Sequence, residues 1–75
     1  MTQLDTLSPS ALDALRRRES ATPHDPGFEE LSRQRVDGLP VARRRRPGRG
    51  AHEWSVTIAG LAMRQALLDR DARAR

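Results

Sequence analysis

Residues 52–70 read HEWSVTIAGLAMRQALLDR, and how this stretch folds decides the class of the whole chain. It holds the only tryptophan, Trp54, and the longest passage without a charge, from Trp54 to Met63. On a helix, at about 100° per residue, Trp54, Ile58, Leu61 and Leu68 fall within one quadrant. Val56, Met63 and Leu67 gather on the opposite side, and Ser55, Ala59, Ala62 and Ala66 form a flank of small residues between them. A helix that is apolar on two sides is built to be sandwiched rather than laid on a single surface. A strand over residues 54–59 competes with that helix. Trp54, Val56 and Ile58 alternate there with Ser55, Thr57 and Ala59, and Val-Thr-Ile is a β-branched run that strands accept more readily than helices. Gly60 would then hinge the chain into a helix from Leu61 onward. The continuous helix is preferred, because residues 61–73 are strongly helix-forming and a lone strand finds no partner in the rest of the sequence.

Working outward, the chain before this stretch carries two helix starts. Ser8-Pro9-Ser10 is a helix start, with either Ser8 as cap and Pro9 at the first helical position or Ser10 as cap with Asp13 three residues on, and ALDALRRRE continues with Leu12 and Leu15 on one side. Asp13 is spaced to pair with Arg17, and the arginines that follow suit the negative end of the helix. Leu4 and Leu7, just upstream, are spaced to dock as one helical turn. Pro23 and Pro26 stop the first helix. Asp25-Pro26 starts a second, with Phe28, Leu31 and Val36 on its buried side, Gly38 just past its end and Pro40 sealing the exit. Residues 39–50, LPVARRRRPGRG, then read as an extended arm: proline and glycine oppose regular structure, and four adjacent arginines repel one another.

The fold expected from these patterns is mainly all-α. Residues 1–38 form two short helices, 39–51 a basic extended arm or linker, and 52–75 a C-terminal amphipathic helix, with a short strand at 54–59 as the variant. A chain of 75 residues allows one small domain and buries too little surface to be comfortably stable alone. Aromatic residues are only 3% of the chain, so the core must be built from leucine.

Composition also narrows function. There is no cysteine, which removes disulfides, thiolate metal sites and thiol nucleophiles, and is compatible with a cytoplasmic setting. The first ten residues lack the basic and apolar regions of a signal peptide. No apolar run approaches the roughly 18 residues that span a membrane. A soluble protein is expected. His24 and His52 are far apart, with no cysteine to complete a metal site, so no metal or other cofactor is expected. Nothing resembles a nucleophile elbow or a phosphate-binding glycine loop, and so short a chain has few walls to enclose a substrate pocket. Neither an enzyme nor a small-molecule substrate is expected.

The formal net charge is +4, and every basic residue is arginine. Acids outnumber bases up to Gly38 and nearly balance them from His52 onward, so the positive excess sits between. Arg43, Arg44, Arg45, Arg46 and Arg49 are the candidates for contact with nucleic acid or an acidic surface, because arginine clusters neutralise phosphates and release counterions. Such a run carries charge without a base-reading scaffold, and the two N-terminal helices are joined by too long and proline-rich a connection for a helix-turn-helix. Trp54, Ile58, Leu61 and Leu68 are the candidates for docking on a protein partner or a second copy; Trp54 serves equally as the largest piece of the chain's own core. The expectation is a non-catalytic regulator or adaptor that docks through the helix and contacts nucleic acid through the arm. The rival is an accessory or structural subunit of an enzyme complex or phage particle, with the arm on an acidic protein surface. A small inhibitor masking a partner's binding site is the weaker third.

Overall fold

The computed structural model describes residues 3–45 and 53–74. A 3-10 turn, Gln3–Thr6, leads into helix α1, Pro9–Arg17, and the short strand β1, Glu19–Ser20. Helix α2, Pro26–Arg33, is followed by strands β2, Arg35–Val36, β3, Leu39–Pro40, and β4, Ala42–Arg44. Strand β5, Trp54–Val56, and the long helix α3, Ile58–Arg73, complete the chain. The architecture is mixed α/β, which corrects the expectation of an all-α chain. Strands β1, β5 and β4 form an antiparallel sheet in that order, and β2 and β3 form a separate hairpin.

The correction has an identifiable cause. Trp54-Ser55-Val56 takes the strand conformation, with Ser20 opposite Trp54 on one side and Arg44 opposite it on the other. Both partners come from segments that read as irregular in sequence. Ser20 lies in a helix-breaking stretch, and Arg43 and Arg44 lie in the expected arm. A strand also separates consecutive arginines onto opposite faces, which relieves much of the repulsion that argued against regular structure. Gly60 is not a hinge, for the helix starts before it with Thr57 as its N-cap, accepting from the Gly60 N–H at 3.2 Å. A Cβ on Gly60 would collide with the Val41 carbonyl oxygen and stand 2.7 Å from Val56 Cγ1. Glycine is needed there because α3 crosses the sheet at backbone contact.

Helices α1 and α2 start at acceptor caps followed by proline. Ser8 Oγ accepts from the Ala11 N–H, and Asp25 from the N–H groups of Gly27 and Phe28. The start of α1 is also tied to the middle of α2: Ser8 donates through N–H and Oγ to the two oxygens of Glu30, at 3.0 and 2.6 Å. Helix α2 stops at Arg33. The next residues turn back at Asp37 and Gly38, which have φ of 52° and 81°. Two positive φ values mark the primed two-residue turn that matches strand twist, so Asp-Gly closes a hairpin and does not cap a helix.

The core gathers Leu4, Leu7, Leu15, Phe28, Leu31, Val41, Trp54 and Leu67 with several alanines, drawn from elements along the whole chain. Phe28 and Trp54 stack with centroids 6.2 Å apart, and the indole N–H donates to the Pro23 carbonyl at 3.2 Å. Of the two apolar stripes on the long helix, the one carrying Met63 and Leu67 is buried. Ion pairs fasten that helix to the N-terminal part: Arg16 to Asp71 at 2.8 Å and Arg70 to Asp5 at 3.4 Å.

Candidate interaction surface

The candidate arginines begin on β4, and the strand sorts them by parity. Ala42 and Arg44 point to the inner face, and Arg43, opposite Ser55, points to the outer one. The ladder continues beyond the strand, with the Arg45 N–H donating to the Glu53 carbonyl at 2.7 Å. Arg45 lies just past the end of the strand. Arg44 helps to cover the core, with its guanidinium 5.9 Å from the centre of the Trp54 ring and its Nε 4.0 Å from Glu53 Oε2. Arg43 and Arg45 are exposed and form no ion pair with any described carboxylate. Arg46 and Arg49 lie outside the described residues, as does His52.

Beside Arg43 runs a groove of about 400 Å³. Leu39 and Pro40 form one wall, and Ile58 and Ala59, in the first turn of α3, form the other. Ser55, Val56 and Thr57 form its base, and Arg43 is the one charged side chain among its lining residues. Ile58 is 88% exposed, Leu39 56% and Leu61 37%. An exposed aliphatic side chain is ordinary by itself, but three large ones along one concavity and its adjoining helix face make a continuous apolar surface.

The four docking candidates are therefore divided. Trp54, at 5% exposure, sits in the core; Ile58 and Leu61 stand on the surface, and Leu68 is half-buried between the two environments. The stripe holding Ile58 and Leu61 is the one the long helix leaves open. Sequence reasoning missed Leu39 and Pro40 as part of this surface. The signal was the Asp37-Gly38 pair between two short extended segments, which marks a hairpin and brings Leu39 back beside α3.

No protein family, curated protein or solved structure matches this chain.

A second concavity, of about 290 Å³, lies between α1 and the start of α2 and includes Ser10, Asp13, Arg17, His24 and Asp25. Its one buried acid is fully engaged. Asp25 Oδ1 accepts from the Gly27 and Phe28 N–H groups, and Oδ2 from Arg17 Nη1 at 3.1 Å and Ser20 Oγ at 3.2 Å. Burial pushes the Asp25 carboxyl up, but Arg17, the Phe28 N–H and the Ser20 hydroxyl outweigh it and hold the group below the ordinary carboxylate value. Arg17 in turn lies over the Phe28 ring, 5.4 Å from its centre. These contacts fasten the end of α1 to the start of α2, and the carboxylate has no lone pair left for a ligand. Among the described residues there is no group of three or more metal-ligating side chains. Among the same residues, no helix is long and apolar enough to cross a membrane.

Proposed function

We propose that this protein is a small non-catalytic interaction protein, a regulator or adaptor, that docks on a partner through the face bearing Ile58 and Leu61 and contacts nucleic acid through Arg43 and Arg45. The observation that carries the reading is the state of Arg43 and Arg45. Both are exposed and form no ion pair with a described carboxylate, and they belong to the one run of four consecutive arginines. Such arginines, close together on and just past a strand, suit a polyanion, which gains by releasing its counterions.

Titration of binding to duplex DNA, single-stranded DNA and RNA against salt tests this. Changing Arg43 and Arg45 together to alanine is expected to shallow the log–log salt slope by roughly two units, about 0.9 for each duplex phosphate released. Absence of binding by the native chain at low salt overturns the nucleic-acid reading. A specific observation favours a second reading, an accessory subunit on an acidic protein surface: Arg43 lines an apolar groove, a setting suited to a protein's mixed surface.

A further inference from the structure

We propose that the groove is one half of a two-fold interface between copies of this chain, in which the hairpin tip of each copy, Asp37 and Leu39, seats against Arg43 and Ile58 of the other. The proposal rests on the docking role given above to the Ile58 face, and names its occupant.

A two-fold interface uses the same patch twice, so residue i meets residue j and residue j meets residue i. Such a patch must carry both members of every contact, and this one does. On its hairpin side stand an exposed acid, Asp37, and an exposed apolar side chain, Leu39. On its sheet and helix side stand an exposed base, Arg43, and an exposed apolar side chain, Ile58. Asp37 and Arg43 each lack an ion-pair partner among the described residues, so both charges are unmet within the described fold. Placing two copies about a two-fold axis through the groove pairs each charge once and covers each aliphatic side chain once. An acidic residue fits this site better than a second cation does, since Arg43 is the single charge in the groove and the positive end of α3 opens beside it.

The hairpin is ready for this role. Its register is Arg35 with Pro40 and Val36 with Leu39, and its turn has both central residues at positive φ. Little ordering is then required on association, which favours binding. The mode is side-chain docking and not strand addition, because at Ala42, 1% exposed, the outer edge of β4 is already covered. Nucleic acid has no use for the apolar walls, so the groove and the exposed Arg45 need not compete for one ligand.

The test is sedimentation of the full chain over a range of concentrations up to about 1 mM, well above weak dimer constants. The native chain is expected to dimerise. Ile58→Asp is expected to weaken the dimer at least about tenfold. Folding is spared in that variant, because an acid in the first turn of a helix is favourable. Arg43→Asp and Asp37→Arg are each expected to weaken it by about tenfold or more through like-charge contact, and Asp37→Asn by less. An equimolar mixture of Arg43→Asp with Asp37→Arg is expected to form a heterodimer, since both cross-copy pairs then have opposite signs. Circular dichroism of each variant checks that it is folded; Asp37→Asn serves if arginine is strained at the positive φ.

A native chain that stays monomeric at the highest concentration overturns the proposal and leaves the groove to a different protein. So does a dimer indifferent to Ile58→Asp, or two folded charge variants that fail to associate with each other. Because Arg43 serves both readings, the salt titration is repeated with Arg45→Ala alone, a residue outside the groove lining, which reads the nucleic-acid half separately, so either can fail while the other stands.

Discussion

The two faces of the three-stranded sheet are a few ångströms apart and are used in opposite ways. On the inner face Arg44 covers Trp54, Trp54 stacks on Phe28, and the indole hydrogen bond reaches back to Pro23. On the outer face Arg43 and Ile58 flank a groove that no described residue fills. Neighbouring residues of one strand thus face the core on one side and an open groove on the other. The difference teaches that residue type alone says little here: two adjacent arginines have the same chemistry and different surroundings, and the pleat decides which has which.

The comparison breaks most visibly at Trp54. Replacing it with alanine is expected to cost about 3–5 kcal/mol, as for other buried large aromatics. Against a total stability on the order of 4–11 kcal/mol for a chain of this length, the thermal transition should shift far down or vanish. Ile58→Ala, on the outer face, should change stability by about 0.5 kcal/mol or less. Circular dichroism melts of the two variants check the pair, and equal losses would erase the division between faces.

An intermediate effect is expected from acid. Ser8 donates to Glu30 by hydroxyl and by N–H, and these bonds hold its carboxyl below the usual range despite some burial; Asp25 is likewise held low. A carboxyl depressed in the folded state contributes stability that is complete above the unfolded value, near 4, and is lost as pH falls through the folded value. Urea midpoints should therefore be flat near neutrality and drop below about pH 4. Asp25→Asn should cost about 1–2 kcal/mol at pH 7 and make the acid drop smaller. An unchanged acid limb in that variant would contradict the role given to Asp25.

The smallest effect separates the two neighbouring arginines. Arg44→Ala should lose about 0.5–1 kcal/mol with its contact to the Trp54 ring. Arg43→Ala should leave stability within about 0.5 kcal/mol of the native chain. Denaturant midpoints measured side by side resolve this, and the reverse order would mean the faces have been assigned the wrong way round.

Parts of this fold were legible in the sequence because their causes are local. Ser8-Pro9 and Asp25-Pro26 mark helix starts where α1 and α2 begin, since capping involves atoms only two or three residues apart. The Asp13–Arg17 pair, at 2.9 Å, is local in the same way. The sheet was not legible, because its causes are distant. The strand potential of Trp54-Ser55-Val56 was visible, but its acceptance depended on Glu19–Ser20 and Ala42–Arg44 arriving from far along the chain, neither of which looks like a strand alone. Gly38 was misassigned for a different reason: glycine at positive φ serves helix ends and hairpin turns equally, and only the extended residues on both sides of Asp37-Gly38 distinguish them. For the surface, wheel geometry grouped Ile58 with Leu61 but could not say which of two apolar stripes the core would take. Leu39 joined them only through the hairpin.

The middle strand of this sheet is also the last of its three to be synthesised. Strands β1 and β4 flank β5 on either side and do not pair with each other, so until residue 56 has been made neither has its neighbour in the sheet to bond with. Nascent chains short of that point hold Phe28 and Val41 without the tryptophan that roofs them. Translation must pass residue 56 before any of the larger sheet can exist, and a nascent chain held upstream of Trp54 has helical potential and a core it has no means to close.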